Sequence, residues 1–135
     1  LGLMECVARA VKENGGKVIG VVPTKLEEKG RVCTFLDEVN HTHNLSERKD
    51  IMTEKSDILV ALPGGIGTLD EIFHVMAAAS IGYHQKKVIF YNEYGFYDEL
   101  LKALGTLESK GFARKPFSTY YEVANTLEEL KEKIY

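Results

Sequence analysis

A strongly apolar run that ends in a glycine-rich turn constrains the fold of this chain more than any other feature. The run is Asp57-Ile-Leu-Val-Ala-Leu62, and the turn Pro63-Gly-Gly-Ile-Gly-Thr68 follows it directly. A continuous apolar run bounded by a proline predicts a strand, and this is the clearest strand signal in the chain. A helix is predicted from Thr68 to about Ile81, so strand, turn and helix together indicate an α/β unit.

The rest of the chain alternates helices and strands in the same way. Strands are predicted over residues 17–22, 87–91 and about 120–123. The first predicted helix runs from the first residues to about Asn14 and is ended by Gly15-Gly16, and the second runs from an N-cap at Ser46 to about Lys55. Two further helices are predicted over 96–110 and from Leu127 onward. Residues 24–45 have weak periodicity and are predicted to form a long loop with at most one short strand or helical turn.

This order of elements predicts a single α/β domain over residues 1–135, a Rossmann-like parallel sheet with helices on both faces. The opening helix has no strand before it. We therefore expect the first strand of the fold to be missing from this chain, which would make the domain N-terminally incomplete.

Composition narrows the range of partners. The 135 residues carry a net charge of -3 and have a pI of about 5.8, whereas proteins that bind nucleic-acid backbones usually have a basic surplus. Every apolar run falls short of the roughly 20 residues that a membrane-spanning helix needs. Neither nucleic acid nor membrane is therefore an expected partner. Cys6 and Cys33 fit no metal spacing and are interpreted as reduced thiols of a cytoplasmic protein.

The glycine turn is a candidate phosphate site. In open α/β sheets ligands lie outside the carboxyl ends of the strands, and the N-terminus of the next helix offers N–H groups and a positive dipole end. Gly65 and Gly67 would let the backbone take unusual angles and approach a ligand closely, and Thr68 would add a hydroxyl. The turn matches neither the Walker pattern nor the dinucleotide fingerprint. The structural alternative is a turn that only packs, and the density of glycines favours binding.

Glu71 lies three residues after Thr68, where a carboxylate would reach a ligand bound to the turn. The alternative is structural, because Thr-x-x-Glu is also the spacing of a helix capping box. Thr126-Leu-Glu-Glu129 has the same spacing and no glycine turn. Spacing alone therefore assigns Glu71 no catalytic role.

Arg48 and Lys49 form a second candidate group, on the helix that leads into the Asp57–Leu62 strand. Arg48, Met52 and Lys55 share one helical face, so a solvated surface is the alternative. The four histidines lack a third ligand at metal spacing, which argues against a metal site; they are His41, His43, His74 and His84.

Two of these segments together resemble the LONELY GUY (LOG) family of cytokinin riboside 5′-monophosphate phosphoribohydrolases, often labelled "possible lysine decarboxylase". The segments are Ser46-Glu-Arg-Lys-Asp-Ile-Met52 and Leu62-Pro-Gly-Gly-Ile-Gly-Thr-Leu-Asp-Glu71, at the family's separation. Further similarity lies in Gly2-Leu-Met4, Gly15-Gly-Lys-Val-Ile-Gly-Val-Val-Pro23, Ile81-Gly-Tyr-His84 and Tyr94-Gly-Phe-Tyr-Asp98.

The resemblance implies a Rossmann-like homodimer that hydrolyses the N-glycosidic bond of AMP or an N6-modified AMP, giving the free base and ribose 5-phosphate without a metal or organic cofactor. It assigns Arg48 and Glu71 to catalysis. The substrate-binding residues it implies are Lys49, Met52, Gly64, Gly65, Ile66, Gly67, Thr68, Leu69 and Asp70. The decarboxylase label has little chemical support, because that reaction usually needs a Schiff-base lysine and pyridoxal phosphate.

Two alternatives stay open at the level of sequence. Where many family members have Thr-Trp, this chain has Ala77-Ala78, which reshapes the region expected near the base and leaves its identity unassigned. A carrier of the same fold that binds a nucleotide or the molybdenum cofactor without hydrolysis is the rival to the enzyme. The pairing of Arg48 with Glu71 favours the enzyme, because phosphate binding alone needs no carboxylate.

Overall fold

A computed structural model describes residues 2–30 and 35–135, which divide into two compact units, residues 1–55 and 56–135. Parallel strands alternate with helices in both units, as predicted. No helix in the described part of the chain is long and apolar enough to cross a membrane. The single domain over residues 1–135 stays a prediction.

The first unit has a two-stranded parallel sheet and three helices. Strand β1 (Ile19–Pro23) pairs with β2 (Glu38–Thr42), and the helices are α1 (Gly2–Glu13), α2 (Thr24–Glu28) and α3 (Leu45–Lys55). Helix α1 ends before Gly15, whose φ of 80° is favourable only for glycine. The Asp37 carboxylate accepts hydrogen bonds from Val18 N–H (2.6 Å) and Lys12 Nζ (2.5 Å), joining α1 to the start of both strands.

Two predicted features of this unit differ in the structure. The expected loop over 24–45 contains both a helix, α2, and a strand, β2, where at most one short element was predicted; Cys33 lies outside the described residues. The predicted N-cap at Ser46 is wrong. Asn44 caps α3 instead, because its Oδ1 accepts from Glu47 N–H at 2.8 Å, and the Glu47 carboxylate in turn accepts from His43 N–H at 2.9 Å.

The second unit holds the strand of the glycine turn at one edge of a three-stranded parallel sheet. Its order is β3 (Leu59–Ala61), β4 (Val88–Tyr91), β5 (Tyr121–Ala124). The connecting helices are α4 (Ile66–Ser80) and α5 (Asp98–Ser109), α6 (Leu127–Ile134) follows β5, and 3₁₀ turns cover Glu93–Gly95 and Phe117–Thr119.

Successive residues of the central strand point to opposite sides of the sheet. Because β4 is apolar throughout, both faces of the sheet are apolar and both are covered by helices. Val88 and Phe90 of β4 enter a core with Ile72, Val75 and Met76 of α4, Leu104 of α5 and Tyr97, the residue just before α5. Ile89 enters a second core on the other face, with Ala124 of β5 and Leu130 of α6. The continuous apolar run of β4 is therefore buried on both sides, which confirms the α/β, Rossmann-like class.

Candidate active site

The glycine turn connects the end of β3 to α4, and the helix begins two residues earlier than predicted. Gly65 is the N-cap and Ile66 the first helical residue, because the first intrahelical bond runs from Leu69 N–H to Gly65 O at 3.1 Å. Thr68 is thus the third residue of the helix. The N–H groups of Gly65, Ile66, Gly67 and Thr68 have no partner within the helix, which leaves four donors directed out of its N-terminus.

The positive end of α4 lacks the acidic side chain that the other helices have. No Asp or Glu occurs in its first turn. Among the residues that the structure describes, every other α-helix has at least one acidic residue there, among them Glu47 of α3 and Glu128 of α6. Such carboxylates offset the helix dipole. An anionic ligand could supply that charge at α4.

The glycines of the turn allow close approach rather than unusual backbone angles, which corrects one expectation. None of Gly64, Gly65 and Gly67 is among the residues with positive φ. A Cβ on Gly64 would overlap the Thr68 hydroxyl, so this glycine lets the Thr68 side chain lie against the turn. A Cβ on Gly65 or Gly67 would meet no atom within 4 Å. Those two positions therefore present bare backbone.

Glu71 lies on the same side of α4 as Thr68, at the edge of the core. Thr68, Glu71, Ile72 and Val75 have the i, i+3, i+4, i+7 spacing of one helical face. Ile72 and Val75 are buried in the core while Glu71 is half-buried. Asp70 is exposed on the other side of the helix.

The capping-box explanation of Glu71 is wrong, since Thr68 is not the N-cap of its helix. Gly65 occupies that position and makes no side-chain cap. The identical spacing at α6 does cap the helix: Thr126 Oγ1 accepts from Glu129 N–H at 3.1 Å, and the Glu129 carboxylate accepts from the N–H of Asn125, the residue before the N-cap, at 2.6 Å. Two Thr-x-x-Glu segments of one chain therefore have different structural roles.

Arg48 is held at β1 rather than extended into solvent. Its side chain is half-buried, and Nε donates to the carbonyl oxygen of Val21 at 2.9 Å. This bond holds the guanidinium group beside Val21, the middle residue of β1. Lys49 and Met52 follow on the same helix and are also half-buried. The catalytic pairing of Arg48 with Glu71 stays a prediction.

A buried polar cluster beside the glycine turn was missed at the level of sequence. The Tyr97 hydroxyl donates to Leu62 O at 2.5 Å, and Tyr97 N–H donates to Asn92 Oδ1 at 2.6 Å. Asn92 Nδ2 donates to Asp98 Oδ1 at 2.8 Å and to Asn125 Oδ1 at 3.1 Å. Asn92 is only 4% exposed. An asparagine directly after an apolar strand was the available signal, since buried amides must find partners.

The histidines take structural roles where hydrogen bonds define them. His41 Nδ1 pairs with the Glu27 carboxylate at 2.9 Å. His84 Nε2 lies 3.0 Å from Val75 O, and its Nδ1 accepts from Lys86 N–H at 2.9 Å, which fixes the ring between α4 and β4. Within residues 2–30 and 35–135, no group of three or more His, Cys, Asp or Glu side chains could hold a metal ion.

Comparison with known proteins gives consistent matches over nearly the whole chain. A family described as "possible lysine decarboxylase" matches residues 4–134. A protein of Oryza sativa subsp. japonica, named as a probable cytokinin riboside 5′-monophosphate phosphoribohydrolase, is 46% identical over 83% of this chain and 49% of its own length.

Two relatives from Arabidopsis thaliana carry the name cytokinin riboside 5′-monophosphate phosphoribohydrolase. One is 37% identical over 99% of this chain and 59% of its own length, and the other is 35% identical over 99% and 62%. The chain thus spans about half to three-fifths of the length of these relatives. Since the family match extends over most of the chain and includes both motif segments, this protein belongs to the possible lysine decarboxylase family, which contains the LONELY GUY proteins.

Proposed function

We propose that this protein hydrolyses the N-glycosidic bond of a nucleoside 5′-monophosphate, AMP or an N6-modified AMP, to the free base and ribose 5-phosphate. The observation that carries the proposal is the N-terminus of α4, where four N–H donors and the Thr68 hydroxyl lie beside a half-buried carboxylate, Glu71. The names of the relatives support the same reaction class.

The proposed reaction breaks the bond between C1′ of the ribose and the base nitrogen. The bonding pair leaves with the base, and the sugar becomes oxocarbenium-like. Glu71 stabilises this positive charge and accepts one proton from the water whose oxygen bonds to C1′. The departing base takes up a proton from solvent, and Glu71 then returns its proton to solvent, so that the net reaction consumes one water. A phosphate on the first turn of α4 would place the sugar toward the side of the helix that carries Glu71.

Arg48 is proposed to clamp the ligand. The bond from Nε to Val21 O orients the guanidinium plane, and a planar guanidinium with a fixed orientation suits bidentate contact with an oxyanion. Lys49 and Met52 on the same helix are proposed to line the site, as are Gly64, Leu69 and Asp70 at the turn.

Replacement of Gly67 by alanine tests the phosphate site directly. Because a Cβ there meets no protein atom within 4 Å and alanine favours helix, Gly67→Ala is expected to leave the melting temperature unchanged or slightly raised. The added methyl group would occupy the space next to the phosphate, so the Kd for ribose 5-phosphate is expected to rise about tenfold or more, the equivalent of ~1.4 kcal/mol. Calorimetric titration measures the Kd.

Gly105→Ala is the matched control for this substitution. Gly105 also lies within a helix, α5, and a Cβ there also meets nothing within 4 Å. Gly105→Ala is expected to stabilise the protein by about 0.5–1 kcal/mol and to leave ribose 5-phosphate binding unchanged. Equal affinity of the two variants would contradict a phosphate site at Gly67.

We also propose that the protein forms a homodimer through the exposed side of α4. Ile66, Phe73 and Ala77 lie on one face of this helix at i, i+7, i+11 spacing, with Asp70 at i+4 between them, and Ile66 is 85% exposed. Large apolar side chains exposed on one face of a helix favour a protein contact. Light scattering is expected to give twice the 15.1 kDa chain mass, and Phe73→Glu is expected to give the monomer. A monomeric unsubstituted chain at micromolar concentration would refute the dimer.

The cytoplasm is the proposed compartment. Cys6 is a free thiol on the exposed surface of α1, and exposed thiols persist where the cell keeps them reduced.

A further inference from the structure

We propose that Tyr97 is a positioning residue that holds the phosphate-binding turn in place through the carbonyl group of Leu62. This inference rests on the proposed function and adds a residue outside the glycine turn and the Arg48 helix. The Tyr97 hydroxyl donates to Leu62 O at 2.5 Å. Leu62 is the residue immediately before Pro63-Gly64-Gly65, where the turn begins.

A bond to this particular carbonyl controls the direction in which the turn starts. The carbonyl oxygen of Leu62 and the nitrogen of Pro63 lie in one peptide plane, so fixing the oxygen fixes the plane. The pyrrolidine ring then sets φ of Pro63 near −65°. Only ψ of Pro63 remains between that plane and Gly64. The Tyr97 hydroxyl therefore fixes the position of Pro63, the residue from which the backbone continues into Gly64 and Gly65.

Tyr97 can act as a fixed point because its own position is determined on several sides. It is 2% exposed, and its ring packs edge-on against Phe90 (5.0 Å between centroids) and Phe96 (4.9 Å). Its N–H donates to Asn92 Oδ1 at 2.6 Å. Burial raises the pKa of the Tyr97 hydroxyl, so at neutral pH the group is protonated and donates.

The same cluster joins the carboxyl ends of all three strands of the second unit. Tyr97 reaches Leu62 after β3, Asn92 follows β4, and its N–H donates to Ala124 O in β5 at 2.7 Å. Asn92 Nδ2 reaches Asn125 directly after β5. Ligands of open α/β sheets bind at this edge. A rigid edge keeps the phosphate donors in the geometry that the ligand needs, which lowers the ordering cost of binding.

Tyr97→Phe tests the proposal, with Tyr121→Phe as the matched control. Tyr121 packs against the same Phe90 ring, at 5.3 Å, but lies on β5. For Tyr97→Phe we expect the Kd for ribose 5-phosphate and the KM for AMP to rise about five- to tenfold, the effect of one neutral hydrogen bond. We expect kcat to stay within about twofold, since the reacting groups are untouched. Tyr121→Phe should leave the Kd and KM within the same twofold range.

Pro63→Ala distinguishes positioning from a general effect on stability. If Tyr97 acts through the Leu62–Pro63 peptide, the two substitutions affect the same element, and the double variant loses less affinity than the product of the single losses. A purely stabilising hydroxyl would lower the melting temperature of Tyr97→Phe and leave Kd and KM unchanged. That result, or single effects that multiply in the double variant, would overturn the proposal.

The outcomes also separate this inference from the proposed reaction. An unsubstituted chain that binds ribose 5-phosphate but hydrolyses no nucleotide would contradict the reaction, while weaker binding in Tyr97→Phe would still support the positioning role. If the unsubstituted protein and Tyr97→Phe bind ribose 5-phosphate equally well and AMP is hydrolysed, the positioning role of Tyr97 is overturned while the proposed reaction stands. An unsubstituted chain that neither binds ribose 5-phosphate nor hydrolyses AMP would overturn both.

Discussion

Replacement of Glu71 by glutamine is expected to lower kcat for AMP hydrolysis on the order of 10³-fold, because it removes the only group proposed both to stabilise the oxocarbenium-like sugar and to accept the proton from water. Glutamine keeps the size and polarity of the side chain at this half-buried position. The Kd for ribose 5-phosphate is therefore expected to change by less than about threefold. Release of free base, followed by chromatography, measures the effect.

An exposed glutamate of another helix supplies the control for this substitution. Glu128 lies in the first turn of α6, is exposed and belongs to no part of the proposed site. Glu128→Gln makes the same chemical change and is expected to leave kcat within about threefold of the unsubstituted value, since a solvent-screened charge contributes little. If both variants retain full activity, Glu71 has no catalytic role.

A second large effect is expected on stability, from Asn92→Asp. Asn92 is 4% exposed and uses Nδ2 to donate to Asp98 and Asn125. A carboxylate cannot donate, and it would stand at hydrogen-bond distance from the Asp98 carboxylate. The free energy of unfolding is expected to fall by about 2–4 kcal/mol, measured by urea denaturation at pH 7.

The destabilisation should depend on pH in a defined direction. Burial and the adjacent Asp98 carboxylate raise the folded-state pKa of the introduced carboxyl above its unfolded value of about 3.9. The folded state then binds the extra proton more tightly, so the difference from the unsubstituted protein is full above the raised pKa and shrinks as pH falls toward 4. A difference that grows on acidification would contradict this account.

Asn125→Asp is the control for the Asn92 variant. Asn125 is exposed and takes part in the cluster only as an acceptor, through Oδ1. A carboxylate keeps that acceptor and stands just before the N-terminus of α6, where negative charge is favourable. The expected change in the free energy of unfolding is below about 1 kcal/mol.

The elements predicted correctly from sequence are those whose signal is local. Strands β3 and β4 both carry continuous apolar runs, although only β4 is largely buried and Val60 of the edge strand β3 is 37% exposed. Helix α1 ends just before Gly15, which has positive φ. Strand β2 was missed because Glu38-Val-Asn-His-Thr42 is polar and mostly exposed. Its conformation depends on pairing with β1, a non-local contact that periodicity cannot reveal.

The first residues of helices were predicted less accurately than the strands, and one of these helices is α4, which follows the glycine turn. Thr68 has the residue type of an N-cap, yet the helix begins at Ile66 with Gly65 before it. Glycine tolerates that position, so residue type does not identify the cap there. A capping box therefore does not account for the spacing between Thr68 and Glu71. At α6, by contrast, the threonine and the glutamate of the same spacing do cap the helix.

The site residues that lie in local sequence motifs could be predicted, whereas the residue that depends on a long-range contact could not. A glycine turn between a strand and a helix is visible as a motif, and so are the residues that the family resemblance assigns. Tyr97 was not singled out for a role, because its contact with Leu62 spans 35 positions of the chain. Its motif segment, Tyr94-Gly-Phe-Tyr-Asp98, was noted only as similar to the family. Only the fold brings the loop after β4 to the end of β3.

The most direct test of the central claim is incubation of the full chain with AMP and with N6-prenylated AMP at neutral pH, followed by quantification of free base and ribose 5-phosphate. The account predicts that at least one nucleotide releases both products in equal amounts, and that Glu71→Gln and Arg48→Ala each abolish most of this release. Tight binding of the nucleotides without release of base would contradict hydrolysis and identify a carrier. Release that persists unchanged in both variants would contradict the assigned site.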